Sequence, residues 1–273
     1  MENGVNALDR KLHAFAAASE PKISLEGVDV AYPTPDGGTI PVVSEASFTV
    51  GAGEFVSIVG PSGCGKSTLL RVLSGLLAHQ GGTVRIDGRS LAENRERVGF
   101  MFQRDTLLPW ASVADNIRIG AELAGIPLNR RDGRVSELIG FLRLTGFEKH
   151  RPHQLSGGMR QRVALGRLLA FEPHIYLLDE PFGALDAQTK IAMGRELLRV
   201  WGEHKRAVIF VTHDIEEAVT LSDRVLVMSS RPGRILRDIA IDLPRPRDPK
   251  LLRKDSRFID LVDAVWSELD IMR

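Results

Sequence analysis

A chain of 273 residues, 43% of them hydrophobic, is long enough to bury a sizeable core, as one large α/β domain or as a main domain with a smaller one inserted. Its 36 Lys and Arg against 35 Asp and Glu leave a net charge of +1, which argues against a dedicated nucleic-acid binder resting on a basic face. The single cysteine, Cys64, excludes an internal disulfide framework; no apolar run approaches the roughly 18 residues of a bilayer span, and Asp9, Arg10, Lys11 and His13 interrupt any signal-peptide core, so the chain is expected in the cytosol.

Residues 1–20 carry Leu8, Leu12 and Phe15 at helical spacing in an otherwise polar, Ala-rich extension, readable as a frayed tail or a short docking helix. Residues 23–32 and 42–50 alternate apolar and polar side chains around Pro33-Thr34-Pro35-Asp36-Gly37-Gly38, which predicts an antiparallel pair with a loose turn. Next comes the apolar run Phe55-Val56-Ser57-Ile58-Val59, then Gly60-Pro61-Ser62-Gly63-Cys64-Gly65-Lys66-Ser67-Thr68, then the helix-like Leu69-Leu70-Arg71-Val72-Leu73. Strand, glycine loop and helix in this order wrap backbone N–H groups around nucleotide phosphates at a helix N-terminus, the glycines allowing main chain to approach where a Cβ would intrude. Lys66 is expected at the β- and γ-phosphates and Ser67 at Mg²⁺, with Thr68 supporting the α-phosphate side or the first helical turn. Cys64, beside Lys66 and a helix N-terminus, is expected to be partly thiolate and covered by bound nucleotide.

Two short strands follow, at 82–87 and 98–103, and then the pattern turns helical from Ser112 to Gly146, broken at Ile126-Pro127, as a helical insertion in a β-rich body would be. Strands at Ile175–Asp179, 207–212 and Arg224–Met228 alternate with helices at 187–203 and Ile215–Leu221, the rhythm of a parallel α/β sheet. Residues 233–243 return to strand, and Phe258, Leu261, Val262, Val265 and Leu269 mark a closing amphipathic helix. No internal repeat interrupts this order.

The apolar Ile175-Tyr176-Leu177-Leu178 delivers Asp179 and Glu180 to the end of a strand, where ligands gather in open α/β sheets. Asp179 is placed to hold Mg²⁺, through water, and Glu180 to polarise an attacking water as general base. A second anion-binding helix start is written in Leu155-Ser156-Gly157-Gly158-Met159, ahead of Arg160-Gln161-Arg162-Val163-Ala164-Leu165. One nucleotide does not need two phosphate cradles in one chain.

The phosphate loop, the Ser-Gly-Gly segment, Asp179-Glu180, Ala184-Leu185-Asp186 and Thr212-His213-Asp214 stand in the order of ATP-binding cassette (ABC) ATPases, which the chain resembles from about Ile23 to Leu243. The resemblance implies a P-loop α/β fold of ABC type: a mixed sheet core, an antiparallel β subdomain and an inserted helical subdomain. It sets a cassette at 21–245, its helical part at about 104–160, between an N-terminal extension and a C-terminal helical extension at 246–273. It further implies two copies paired head to tail, with each ATP between Lys66 of one and Ser156-Gly157-Gly158 of the other. On the same ground His213 is the switch histidine that contacts the γ-phosphate and orients Glu180, Gln103 links the γ-phosphate and Mg²⁺ site to a membrane partner, Tyr32 stacks on adenine and Asp186 faces the opposite chain. Met159 departs from the pattern, standing where many members have glutamine, but the Ser-Gly-Gly that touches phosphate is intact.

Asp105-Thr106-Leu107-Leu108-Pro109-Trp110, with Val113-Ala114-Asp115-Asn116-Ile117, and the late Leu243-Pro244-Arg245-Pro246-Arg247-Asp248 are similar to the ATPases of the nitrate, sulfonate and taurine import group. Leu108 and Trp110 would then dock a separate transmembrane permease, unless Trp110 is ordinary core, and the Pro-Arg segment is either specific or a solvated connection. The resulting expectation is an ATPase subunit on the cytoplasmic face of the inner membrane, serving an importer whose solute-binding protein and permease choose the solute. An exporter ATPase and a soluble ABC ATPase are the alternatives.

Overall fold

The computed structural model describes residues 20–93 and 98–270; the extension expected at 1–20 lies, but for Glu20, outside them. Two sheets organise the chain. The smaller is antiparallel, in the order β2-β1-β4-β5, from β1 (Ile23–Pro33), β2 (Thr39–Val50), β4 (Gly81–Ile86) and the two-residue β5 (Arg89–Ser90), which the pattern did not foretell. The larger runs β10-β9-β3-β8-β7-β6. In it β9 (Arg224–Met228), β3 (Phe55–Val59), β8 (Ala207–Val211), β7 (Ile175–Asp179) and β6 (Val98–Met101) are parallel, and β10 (Ile235–Ala240) closes one edge antiparallel.

Strands β3, β7 and β8 are buried at every position, which is why their sequences are nearly unbroken apolar runs. Their side chains still alternate between two cores. Ala207, Ile209 and Val211 face the core shared with the antiparallel sheet and α1 (Lys66–Leu73), whereas Val208 and Phe210 face the core of the helical region. That helical region comprises α2 (Val113–Leu123), α3 (Leu128–Phe141) and α4 (Gly157–Phe171), separated by the expected break at Ile126-Pro127. Helix α5 (Ala187–His204) covers the same face of the sheet through Met193, Leu197 and Trp201.

On the opposite flank α6 (Ile215–Leu221), the short α7 (Pro249–Leu252) and α8 (Ser256–Asp270) enclose a third core around Val59, Val225, Val227, Phe258 and Val265. The Pro-Arg segment is no solvated connection. Arg247 is buried and donates to the carbonyls of Val219, Thr220 and Ser222 at the end of α6, and to those of Ile241 and Leu243. Six donor contacts to fixed carbonyl dipoles compensate a cation whose pKa burial, with Arg245 beside it, pushes down to about 10. Arg245 pairs with Asp223 at 2.7 Å, donates to the Leu221 carbonyl and lies 4.4 Å from the Trp201 ring centroid.

Helices α2 and α4 cross where Gly120 lets them meet. A Cβ on Gly120 would lie 2.0 Å from the Arg167 carbonyl oxygen and 3.0 Å from the Ala170 methyl. Gly120→Val is therefore expected to destabilise the chain by about 2–3 kcal/mol through overpacking against backbone that cannot rotate away. A thermal melt followed by circular dichroism reads this as a drop in Tm of several degrees; an unchanged Tm would mean the two helices separate freely.

Candidate functional site

The C-terminal ends of β3, β7 and β8 place three polar segments side by side. Beyond β3 the loop 60–65 turns into α1 with Gly63 and Gly65 at φ of 76° and 109°, backbone that L side chains rarely adopt. The close approaches of these glycines are to the protein itself: a Cβ on Gly65 would lie 2.8 Å from Val43 and one on Gly60 2.9 Å from the Met228 carbonyl. Lys66 is 7% exposed, and its ammonium donates to the carbonyls of Gly60 and Pro61 at 2.7 and 2.9 Å, so the loop holds its own cation in wait for a better acceptor. Tyr32, half-buried near the end of β1, brings its hydroxyl to 3.5 Å from Thr68 Oγ1, which puts the ring beside the start of α1.

Ser67 Oγ donates to Asp179 Oδ1 at 2.9 Å, joining the glycine loop to the end of β7. Burial pushes the Asp179 carboxyl above the ordinary carboxylate range, while the Ser67 hydrogen bond pulls it back. This pair offers hard oxygen donors, a hydroxyl and a carboxylate, which suits Mg²⁺ bound through few protein ligands together with phosphate and water. Among the described residues no group of three or more His, Cys, Asp or Glu is gathered to hold a metal unaided.

Glu180 adopts φ 47°, a left-handed conformation uncommon outside glycine, with its N–H bound to the Val211 carbonyl at 2.9 Å. The strain turns its carboxylate into the cleft. There Gln103 Nε2 donates to Glu180 Oε2 at 3.2 Å, and His213 Nδ1 lies 3.3 Å from the same oxygen. Gln103, Glu180 and His213, 33 to 110 residues apart in the chain, thus form one cluster, and among the described residues no hydrogen bond joins Gln103 to Ser67 or Asp179.

Ser156, Gly157 and Gly158 stand apart. Ser156 caps α4 by accepting the Met159 N–H at 3.2 Å, and among the described residues no hydrogen bond ties these three to the loop 60–68. The segment is held instead by Gln161, whose buried side chain accepts the Ala184 N–H at 3.1 Å, and by Gly158, where a Cβ would press on Leu185 and the Ala184 carbonyl. Gln161 was not singled out from sequence, since one glutamine in a helix rich in charge carries no signal of its own. Asp186 caps α5 through the Thr189 N–H and hydroxyl, which hold its carboxyl below the usual range. Arg160 binds Asp105 at 2.8 Å and the Leu155 carbonyl, which ties the segment after Gln103 to the start of α4.

Trp110 is 70% exposed, which rules out a core role for it. The loop that carries it is moulded on buried Asn116, whose amide exchanges hydrogen bonds with both backbone groups of Leu108 and also donates to the Ala111 and Ser112 carbonyls. A groove of about 170 Å³ runs between β6, α2 and α4, lined by Phe100, Phe102, Leu123 and Phe171 together with Arg104 and Arg167.

A glycine loop at the end of a buried strand, a serine bound to a strand-end aspartate and an adjacent Glu, Gln and His cluster define a P-loop nucleotide hydrolase. Residues 43–183 match the family model described as ABC transporter. Over 78% of this chain and 80% of the other, the sequence is 47% identical to an uncharacterized ABC transporter ATP-binding protein of Methanocaldococcus jannaschii. It is 44% identical to the aliphatic sulfonates import ATP-binding protein SsuB of Bacillus cereus over 82% of this chain and 88% of that one. The fold superposes on the dimeric post-hydrolysis structure of the ATP-binding cassette MJ0796 bound to ADP and Pi with a TM-score of 0.73 and 31% identity, covering 81% of this chain and all of that one. The chain belongs to the ABC transporter family, as an ATP-binding subunit that hydrolyses ATP. The fold class read from the sequence is borne out.

The structure corrects the expectation for Cys64. Its side chain is 1% exposed, and burial pushes the thiol pKa up despite Lys66, whose Nζ lies 3.8 Å from Sγ. Maleimide is therefore expected to label the native chain far more slowly than the denatured one at pH 7, with or without nucleotide. Intact-mass time courses measure this; rapid labelling of native, nucleotide-free protein would show that the loop opens readily.

Proposed function

We propose that this chain energises a multi-chain importer of small anions, with aliphatic sulfonates foremost and nitrate and taurine in the same class, working as a head-to-tail pair on the cytoplasmic face of a separate permease. The similarity to SsuB, which extends over most of both chains, carries the reading of import and of solute class. The dimeric ADP-bound cassette supports pairing, with Ser156, Gly157 and Gly158 of each copy completing the phosphate site of the other. Such a pairing accounts for a second anion-binding helix start that, among the described residues, no hydrogen bond joins to the first. The docking surface for the permease is the exposed Trp110 with Leu108, and a solute-binding protein acts one step further out. Among the described residues no helix is long and apolar enough to cross a membrane, in keeping with a peripheral subunit.

In the proposed reaction Tyr32 stacks on the adenine, and the backbone of Gly60, Pro61, Ser62, Gly63, Cys64 and Gly65, continuing into Thr68, wraps the phosphates. Lys66 exchanges the carbonyls of Gly60 and Pro61 for β- and γ-phosphate oxygens, acceptors that carry charge and bind it more strongly. Ser67, Asp179 through water, and Gln103 would hold Mg²⁺, which would neutralise phosphate charge. Glu180 takes a proton from the attacking water, and His213 and Gln103 keep its carboxylate aimed by the contacts they already make to Oε2. ATP binds the closed pair more tightly than the open one, so binding closes the pair and hydrolysis reopens it; that difference in affinity is what moves the permease.

Glu180→Gln is expected to bind ATP normally, to hydrolyse it roughly 10²- to 10⁴-fold more slowly and to accumulate an ATP-bound dimer, measured by phosphate release and light scattering. Turnover near that of the wild type would sink the assignment of the base. Lys66→Ala is expected to differ by losing ATP affinity itself. Replacing Leu108 and Trp110 together by Ser is expected to leave nucleotide binding intact and weaken co-purification with the permease, and the solute class is tested by which anions the neighbouring binding protein retains in calorimetry.

A further inference from the structure

The helix that follows His213 carries a carboxylate that no step above uses. Glu217 lies one turn into α6, and its Oε2 accepts a hydrogen bond from the Thr212 hydroxyl at 2.5 Å. The same hydroxyl accepts the Asp214 N–H at 3.0 Å, so one side chain fixes the residues on both sides of His213. Asp214 closes the loop from below, its carboxylate accepting the Glu217 N–H at 3.1 Å and lying 3.7 Å from Lys190 Nζ on α5. The imidazole is largely exposed, and among the described residues its one polar contact is Glu180. Its aim is therefore set by the backbone that carries it.

We propose that Glu217 is a positioning residue for ATP hydrolysis: its side-chain oxygen holds Thr212, and through Thr212 the backbone from which His213 meets Glu180. This rests on the roles given above to His213 and Glu180.

The placement of an acid here is costly, which separates it from ordinary packing. Burial, with Asp214 and Glu180 as like-charged neighbours, pushes the Glu217 pKa up to about 7 against the pull of the Thr212 hydrogen bond and Lys190. Among the described residues that line the cavity of about 110 Å³ beside it, the arginines are committed elsewhere. Arg247 is committed to backbone carbonyls, Arg195 to Asp248 and Arg253 to Glu216. Because the folded pKa lies above the unfolded one, at about 4.3, the penalty is absent below pH ~4, grows between the two values and is complete above pH ~7. A neutral side chain would hold the fold better at pH 8.

The test compares Glu217→Gln, Glu217→Leu and Thr212→Val in the full chain at saturating Mg²⁺-ATP, with His213→Ala alongside. Glu217→Leu is expected to lower kcat roughly tenfold with KM for ATP unchanged. Thr212→Val is expected to do the same from the other end of the hydrogen bond, and the double variant to be no worse than either single one. Glu217→Gln, which keeps an acceptor oxygen, is expected to restore kcat to within about twofold of wild type while its Tm advantage over wild type widens from pH 5 to pH 8. A purely structural Glu217 would instead lose activity only in step with stability. Wild-type kcat in Glu217→Leu or in Thr212→Val, or equal losses in the Gln and Leu variants, would overturn the proposal while leaving the site reading intact. Full activity in His213→Ala would overturn the site reading itself, and the proposal with it.

Discussion

Parallel pairing of β3, β8 and β7 is the constraint on which the rest of the molecule depends. The register that sets Ile58 opposite Val211, and Val211 opposite Asp179, makes three buried strands end at one level. Lys66, Glu180 and His213 leave those ends within a few residues, so a cleft of opposite charges forms without long loops to order. The apolar strands bear the energetic load: buried on both faces, they interlock two cores, and the polar groups at their tips are carried on a frame that has little freedom to move. Strain at Glu180 is tolerable only on such a frame.

A second layer of organisation links the moving parts. Asp105 and Arg160 join the segment after Gln103 to the start of α4, and Gln161 joins α4 to the Ala184 backbone ahead of α5. Lys190, one turn into α5, reaches Asp214 beside His213. These separate contacts, joined by short lengths of backbone, tie the Ser-Gly-Gly helix start to the Ala184 turn and α5 to the histidine loop.

Much of this was legible in the sequence where chemistry dictates spacing. The glycine loop could be read because positive φ and close backbone approach admit few residues, and Asp179-Glu180 because the short apolar run Ile175-Tyr176-Leu177-Leu178, too brief for a helix of ordinary length, reads as a buried strand that ends there. Trp110 was ambiguous, since a lone aromatic serves a core and a docking surface equally, and exposure alone separates them. Arg247, Glu217 and Gln161 could not be assigned: each is one polar residue whose role lies in its own environment, Arg247 in carbonyls 4 to 28 residues away, Gln161 in a backbone amide 23 residues on, and Glu217 in desolvation that no local pattern records. β5 is two residues long and has no period to detect. Cys64 misled because neighbours in sequence, Lys66 and a helix start, argue for a thiolate, while burial argues more strongly against one.

That burial makes the native chain nearly silent toward thiol reagents. A cysteine introduced at an exposed position, Leu123→Cys on the groove or Ile40→Cys on the edge strand of the antiparallel sheet, would be far more accessible than the buried Cys64, which need not be removed. Fluorophores or spin labels placed there, one introduced cysteine per variant with Cys64 left in the phosphate loop, would follow the approach of two copies in solution. The loop whose chemistry is under observation would keep its own side chain throughout.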